Sequence, residues 1–114
     1  MNNEHYHFDE YQYEAGDTAF YPNKGDNLYY PALGLAGEAG EVCEKIKKIM
    51  RDQDGTILKE NEVELAKELG DVLWYVAALA TEIGFSLSDI VEMNLDKLQS
   101  RMKRDVLKGS GDNR

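Results

Sequence analysis

Two pairs of acidic residues in the sequence have the spacing of one helical face. Glu38 and Glu41 are three residues apart, and Glu68 and Asp71 repeat that spacing. Residues three positions apart on an α-helix are neighbours on the same face. A loop of roughly ten residues separates the two segments, as expected for antiparallel neighbouring helices. The pattern therefore predicts that four carboxylates meet between two facing helices.

The surroundings of the second pair indicate a metal ion. Glu68 and Asp71 interrupt an otherwise apolar segment that runs to Ile83. Buried like charges repel one another and take up protons unless a cation compensates them. Mg²⁺ takes one or two carboxylates directly and completes its shell with water and phosphate oxygens. We therefore predict Mg²⁺ as the cofactor, with Mn²⁺ able to replace it.

A third set of polar residues offers the opposite chemistry. Asn94, Lys97 and Arg101 fall at i, i+3 and i+7, which places their donor groups on one stripe of a helix. Two interpretations are open: a row that holds phosphates, or a solvated basic face near a helix C-terminus, where cations are favoured in any case. Tyr75 lies four residues after Asp71 and is either a substrate contact or a core residue, whereas its neighbour Trp74 is expected in the core.

Glycines recur every third residue beside the first acidic pair, at Gly34, Gly37 and Gly40. Glycine within a helix costs up to about 1 kcal/mol relative to alanine. The repeat therefore indicates close approach, either of another helix or of a ligand.

The elements that position these residues are all predicted to be helices. Hydrophobic periodicity and capping residues place them at about 8–20, 28–50, 62–83 and 87–104. Asp26 or Asn27 caps the second, Asn61 begins the third with Glu64, and Ser86 begins the fourth. The predicted core stripe of the last helix is Val91, Leu95, Leu98 and Met102. The predicted fold is an all-α antiparallel helical bundle, completed by oligomerisation because the Gly-rich second helix and the apolar third helix offer more apolar surface than one layer covers.

Composition excludes several classes of protein. A length of 114 residues predicts one domain, with a core of about 8–104 and flexible termini. The net charge of −9 argues against binding to a nucleic acid polymer. We expect no membrane span, because no apolar run approaches the required ~20 residues. The polar N-terminal segment lacks signal-peptide features, and the single cysteine, Cys43, is expected to be a buried thiol, so we expect a cytoplasmic protein.

Other chemistries are less consistent with the sequence. A di-iron bundle requires Glu-x-x-His pairs, and no histidine follows any of the four acidic residues at that spacing. A Cys43 nucleophile has no histidine downstream of it. The segment 52–55 lacks the remaining ligands of a calcium loop. A non-catalytic helical oligomerisation module is the remaining competitor, and it explains poorly why Glu68 and Asp71 lie in an apolar helix.

Four segments in this order carry a resemblance to a known family: LGLAGEAGEV at 33–42, IKK at 46–48, ELGDVLWYV at 68–76 and NLDKLQSR at 94–101. Together with Tyr11-Gln12 and Thr18, they resemble the MazG-like nucleotide pyrophosphohydrolases over roughly residues 10–104. One departure is Gly37, because many relatives carry a second glutamate at the corresponding position.

The resemblance implies an all-α NTP pyrophosphatase that forms a homodimer or homotetramer, with active sites near subunit contacts. It implies Mg²⁺-dependent hydrolysis of nucleoside or deoxynucleoside triphosphates to the monophosphate and pyrophosphate, as in the cleaning of nucleotide pools. Glu38 or Glu41 would orient the attacking water. From its position on the carboxylate stripe, Tyr75 is predicted as a substrate contact, and contact with the base is open among Tyr29, Tyr30, Trp74 and Tyr75. Phosphoribosyl-ATP pyrophosphohydrolase is the alternative activity. The implied metal ligands are Glu38, Glu41, Glu68 and Asp71, and the implied phosphate contacts are Asn94, Lys97 and Arg101.

Overall fold

Four α-helices make up the part of the chain that the computed structural model describes, residues 6–104. They are α1 (Phe8–Gly16), α2 (Tyr29–Asp52), α3 (Lys59–Ile83) and α4 (Leu87–Lys103). No strand occurs within residues 6–104, so the predicted all-α class is confirmed. None of the described helices is long and apolar enough to cross a membrane. The termini predicted to be flexible lie outside the described residues.

The two longest helices, α2 and α3, form an antiparallel hairpin. Its connection is a short turn in which Asp54 and Gly55 both adopt positive φ, at 56° and 78°. Close to this turn, the Gln53 amide donates to Asn61 Oδ1 at 2.8 Å. At the opposite end, Glu82 of α3 reaches the backbone N–H of Asn27, just before α2 begins, at 3.4 Å. The helices therefore face each other along nearly their whole length.

The short helix α1 packs across α3 and holds the start of α4. The Gln12 side chain donates to Thr81 Oγ1 and to the Phe85 carbonyl, both at 3.0 Å, and accepts from the Leu87 N–H at 2.8 Å. This one amide thereby satisfies backbone groups at the α3–α4 turn that helices leave without partners. The apolar core around it consists of Ala77, Ala80 and Leu87, against which Tyr11, Val76 and Ile90 pack.

Glu82 organises the long loop 17–28. Its carboxylate accepts from the Tyr21 hydroxyl at 2.6 Å and from the Gly25 N–H at 2.8 Å, besides the weaker contact with Asn27. Asn27 Oδ1 in turn accepts from the N–H groups of Tyr29 and Tyr30, both at 3.1 Å. Asn27 therefore caps α2, as predicted.

Other local signals are confirmed at the end of α3 and the start of α4. Gly84 follows α3 in the left-handed conformation, with φ of 81°. Ser86 Oγ accepts from the Asp89 N–H at 3.1 Å, which is the predicted cap of α4.

Two predicted boundaries were wrong by about one helical turn. The first helix ends at Gly16 instead of residue 20. Side chains satisfy its last carbonyl groups, because the Thr18 hydroxyl donates to the Ala15 carbonyl and Lys24 Nζ donates to the Gly16 carbonyl, both at 2.7 Å. The third begins at Lys59, and Asn61 lies within its first turn, where its side chain accepts from the Leu58 N–H at 2.9 Å. In both places a side chain completes the backbone bonding that sets the helix end.

Two expectations about burial were also wrong for the single chain. Within the predicted core stripe of α4, Leu95 and Met102 are exposed, because α4 packs mainly through its N-terminal half and Leu87 is its best buried apolar residue. Cys43, which was expected to be buried, is exposed as well.

Candidate active site

Three carboxylates meet where the middles of α2 and α3 face each other. Glu38 comes from α2, and Glu68 and Asp71 come from consecutive turns of α3. One oxygen from each of the three lies within 4.8 Å of the others. We call these three residues the carboxylate cluster. Its geometry matches the predicted meeting of the two acidic pairs, with three of the four members brought together.

The cluster is electrostatically unfavourable without a cation. Burial, followed by the like charges of Asp71 and Glu68, raises the pKa of Glu38 above its ordinary value. The side chains of Glu38 and Glu68 are hydrogen-bonded to each other, which also raises the pKa of Glu38. The nearby cation is Lys45, whose Nζ lies 3.8 Å from Glu68 Oε1 but only 3.0 Å from Glu64 Oε2. Lys45 therefore forms its closer ion pair with Glu64 and compensates the negative charge of the cluster only in part.

Glu41 lies at the edge of this arrangement. It is exposed and does not belong to the group whose oxygens converge. Its charge is nevertheless close enough to contribute to the raised pKa of Glu38. Glu41 is therefore near the cluster without being one of its three convergent members, and its role as a ligand stays a prediction.

Tyr75 and Gly34 fix the spacing of the helices one turn away from the cluster. A Cβ atom at position 34 would overlap the ring of Tyr75, so this glycine permits the close approach of the two helices. No such contact exists at Gly37 or Gly40, where an added Cβ would meet nothing within 4 Å. Burial, followed by the interaction with Tyr30, raises the pKa of the Tyr75 hydroxyl. Of the two explanations for the glycine repeat, tight packing accounts for Gly34 alone.

An open cavity of about 360 Å³ lies beside the carboxylates and is lined by Thr18, Glu38, Asp71, Trp74 and Tyr75. Trp74 was expected in the core, but its half-buried indole forms part of the cavity wall. The indole N–H donates to Thr18 Oγ1 at 2.8 Å, and the ring meets Tyr75 edge-on at a centroid distance of 4.9 Å. Sequence reasoning did not assign Trp74 and Thr18 to one site because 55 residues separate them in the chain.

The donor row of α4 lies elsewhere in the single chain. Asn94 and Lys97 are exposed and Arg101 is buried. None of these three residues lines the cavity beside the carboxylates, and none contributes to the pKa shift of Glu38. Within one chain the structure therefore brings the carboxylates and Tyr75 together but leaves Asn94, Lys97 and Arg101 apart from them.

The carboxylate cluster fits a hard divalent cation. Its donors are all oxygen atoms, they come from two rigid helices, and one of them has a raised pKa that a cation would reverse. The open side of the cavity leaves room for further oxygen ligands from a substrate. Thiolate or imidazole donors, which softer metals prefer, are absent from this group of described residues.

Comparison with known proteins agrees with this chemistry. Residues 31–106 match the MazG nucleotide pyrophosphohydrolase domain. The chain is 54% identical to the "Gene 37 protein" of Mycobacterium phage L5 over 113 residues, covering 95% of this chain and 99% of the relative. It is 33% identical over 92 residues to the "Uncharacterized protein YvdC" of Bacillus subtilis (strain 168), covering 74% of this chain and 87% of that protein. No solved structure shows a significant match.

Proposed function

The chain belongs to the MazG nucleotide pyrophosphohydrolase family, and on that basis we propose that it hydrolyses nucleoside or deoxynucleoside triphosphates to the monophosphate and pyrophosphate with Mg²⁺. The observation that carries this proposal is the convergence of Glu38, Glu68 and Asp71 within 4.8 Å beside an open, aromatic-walled cavity. We propose that this reaction removes non-standard nucleotides from the cellular pool.

The carboxylates of the cluster, with Glu41 at its edge, would hold the metal. When bound, Mg²⁺ supplies polarisation of the phosphoryl oxygens and neutralises the charge of the triphosphate. Glu38 would orient the attacking water or accept its proton, because its carboxylate converges with those of Glu68 and Asp71 and lines the open cavity. Glu41 is the second candidate for this role, since it lies close enough to influence Glu38.

The phosphates need donors that the cavity of one chain does not present. We assign them to Asn94, Lys97 and Arg101, brought to the site by a second copy in a homodimer or homotetramer. Large exposed apolar side chains support such an assembly, among them Leu33, which is 73% exposed, and Leu69, which is 57% exposed. Light scattering at micromolar concentration should give a multiple of 12.9 kDa. A monomer of that mass would contradict this assignment.

A substrate panel tests the activity itself. Canonical and modified NTPs and dNTPs, together with phosphoribosyl-ATP, are incubated with Mg²⁺, and the products are separated by chromatography. The expected result is one monophosphate and one pyrophosphate per substrate, with no reaction in excess EDTA. Nucleoside diphosphate with free orthophosphate would contradict the proposal. Turnover of phosphoribosyl-ATP alone would favour the alternative enzyme, and no turnover of any substrate would favour the non-catalytic module.

A further inference from the structure

We propose that Trp74 is the surface on which the nucleobase of the substrate stacks, and that Thr18 holds its indole in place for this purpose. The inference rests on the proposed function, because it names the part of a nucleotide that this wall of the cavity receives. It concerns how the base is recognised, which the carboxylate chemistry does not address.

Trp74 lies close to the carboxylate cluster. Trp74 and Asp71 are three residues apart on α3 and line the same cavity. At this spacing the Cβ atoms of two helical residues are about 5–6 Å apart. A nucleotide whose phosphates lie at the carboxylates therefore carries its base, across the ribose, to the region of the indole.

Contacts within the protein hold the indole of Trp74 in place without a ligand. Its N–H donates to Thr18 Oγ1 at 2.8 Å, and the same hydroxyl donates to the Ala15 carbonyl at 2.7 Å. Tyr75 supports the ring from the edge, with an interplanar angle of 82°. A ring held by these two contacts loses little conformational entropy when a base stacks on it.

The other aromatic rings near the cavity either pack against neighbouring residues or lie outside the cavity. Tyr30 is stacked on Tyr21, with ring centroids 4.8 Å apart. Tyr75 packs on Gly34. Tyr29 is 80% exposed and does not line the cavity. Of the two aromatic residues that line the cavity, Trp74 is the one whose ring does not pack on Gly34.

The polar groups of the cavity predict the kind of recognition. The Thr18 hydroxyl is engaged with Ala15 and Trp74, and the Tyr75 hydroxyl interacts with Tyr30. The remaining polar groups are the carboxylates Glu38 and Asp71. Recognition then depends on the face of the base, which every nucleobase possesses, and not on its hydrogen-bonding edge. We expect less than about tenfold discrimination among bases that carry the same sugar, with purines binding more tightly than pyrimidines because they stack more strongly.

The protein supplies its own probe for this proposal, because Trp74 is its single tryptophan. Wild-type protein with Mg²⁺ is titrated with a non-hydrolysable nucleoside triphosphate analogue, and in parallel with inorganic tripolyphosphate. Stacking should quench the indole fluorescence with the nucleotide and leave it nearly unchanged with tripolyphosphate. Equal responses to the two ligands, or no response to the nucleotide, would overturn the proposal.

Substitution gives the second measurement. Trp74→Leu should raise KM by about 5- to 150-fold, the equivalent of 1–3 kcal/mol for one stacked base, with kcat changed much less. Trp74→Phe should recover most of the loss, and Tyr29→Leu is the matched control outside the cavity. An unchanged KM in a folded Trp74→Leu protein would overturn the stacking role. Nucleotide-specific quenching without hydrolysis of any triphosphate would refute the proposed activity and support the base site.

Discussion

Helix α3 carries acidic residues in two contrasting environments. Near its C-terminal end, Glu82 receives hydrogen bonds from the Tyr21 hydroxyl and from backbone N–H groups of the 17–28 loop, and the hydrogen bond from Tyr21 lowers its pKa. Three turns earlier, Glu68 and Asp71 face Glu38, whose pKa is raised. Helix α3 thus carries Glu82, whose carboxylate accepts several hydrogen bonds, and also two carboxylates of a cluster whose negative charge is only partly compensated.

The difference separates a structural carboxylate from a candidate functional one. At Glu82 the negative charge is used within the fold, to tie a loop to the end of α3. At the cluster the charge opposes folding and is retained, which is the expected cost of a site that binds a cation. The following substitutions and conditions test this contrast.

The largest effect is expected from Asp71→Asn. Loss of one cluster carboxylate should reduce pyrophosphate release below detection. Without the metal, the charge of the phosphates is no longer neutralised and the attacking water is no longer activated. We expect Mg²⁺ or Mn²⁺ to raise the melting temperature of the wild-type protein, by the equivalent of about 2.7 kcal/mol at a hundredfold excess over Kd, and we expect Asp71→Asn to lose this increase.

Glu41→Gln is the informative companion to that variant. Sequence reasoning predicts the same loss for both, whereas the structure places Glu41 outside the convergent group. An equally inactive Glu41→Gln protein would show that this residue turns toward the metal when the site is loaded. A metal-dependent shift that survives in Asp71→Asn would contradict a metal site at the cluster.

Glu82→Ala should act on stability instead of on the metal. The donors of Tyr21 and Gly25 would lose their acceptor, at a cost of about 1–3 kcal/mol in the free energy of unfolding. Chemical denaturation measures this loss, and the Mg²⁺-induced shift in melting temperature should stay at the wild-type value. If that shift disappears, the contrast between the two parts of α3 is wrong.

The two glutamates should also respond to pH with opposite signs in chelator-treated protein. The contribution of Glu38, whose folded pKa is raised, is present below its unfolded pKa of about 4.3 and is lost as pH rises through the folded value. The contribution of Glu82, whose folded pKa is lowered, is present above the unfolded value and is lost as pH falls.

Denaturation of two variants across pH 3 to 7 provides the measurement. Glu38→Gln should be more stable than wild type near pH 7, and this advantage should vanish toward pH 4. Glu82→Gln should be less stable than wild type at pH 7, with a deficit that shrinks as pH falls below about 4. Parallel curves for the two variants would show that the carboxylates occupy equivalent environments.

The smallest effect is expected from Lys45→Met, which removes the partial compensation of Glu68. Mn²⁺ should bind a few-fold more tightly, because a competing positive charge is gone, and the effect is modest because exposed ion pairs interact weakly. Lys47→Met is the control, since Lys47 pairs with Glu44 at 3.0 Å and not with the cluster. Calorimetric titration that shows weaker binding in Lys45→Met would mean that Lys45 orients Glu68 for the metal.

The features predicted correctly are those that depend on nearby residues. Asn27, Gly84 and Ser86 cap or end their helices through bonds to residues two to five positions away, and such signals are visible in the sequence. The meeting of Glu38 with Glu68 and Asp71 also follows from local spacing, once two helices are joined by a short turn.

The features that sequence reasoning missed depend on distant pairings. Nothing near Trp74 in the sequence indicates Thr18, and nothing near Glu82 indicates Tyr21, because each pair is brought together by the path of the 17–28 loop. The donor row on α4 illustrates a further limit, since periodicity shows which residues share a face and not what that face meets. In the single chain, Asn94 and Lys97 are exposed and do not line the cavity beside the carboxylates.

The hairpin of α2 and α3 also has a consequence for the order in which the protein folds. The contacts between α2 and α3 join segments on either side of one short turn, so the entropy cost of closing the loop between them is small. The contacts of Gln12 with Thr81 and Leu87 close a loop of about seventy residues, which costs more. We expect the hairpin, and with it the three carboxylates, to form in the folding transition state, and α1 to dock afterwards. Gln12→Ala should then mainly accelerate unfolding, whereas substitutions between α2 and α3 should slow folding. The carboxylates proposed to bind the cation would then come together before Thr18 reaches the indole of Trp74.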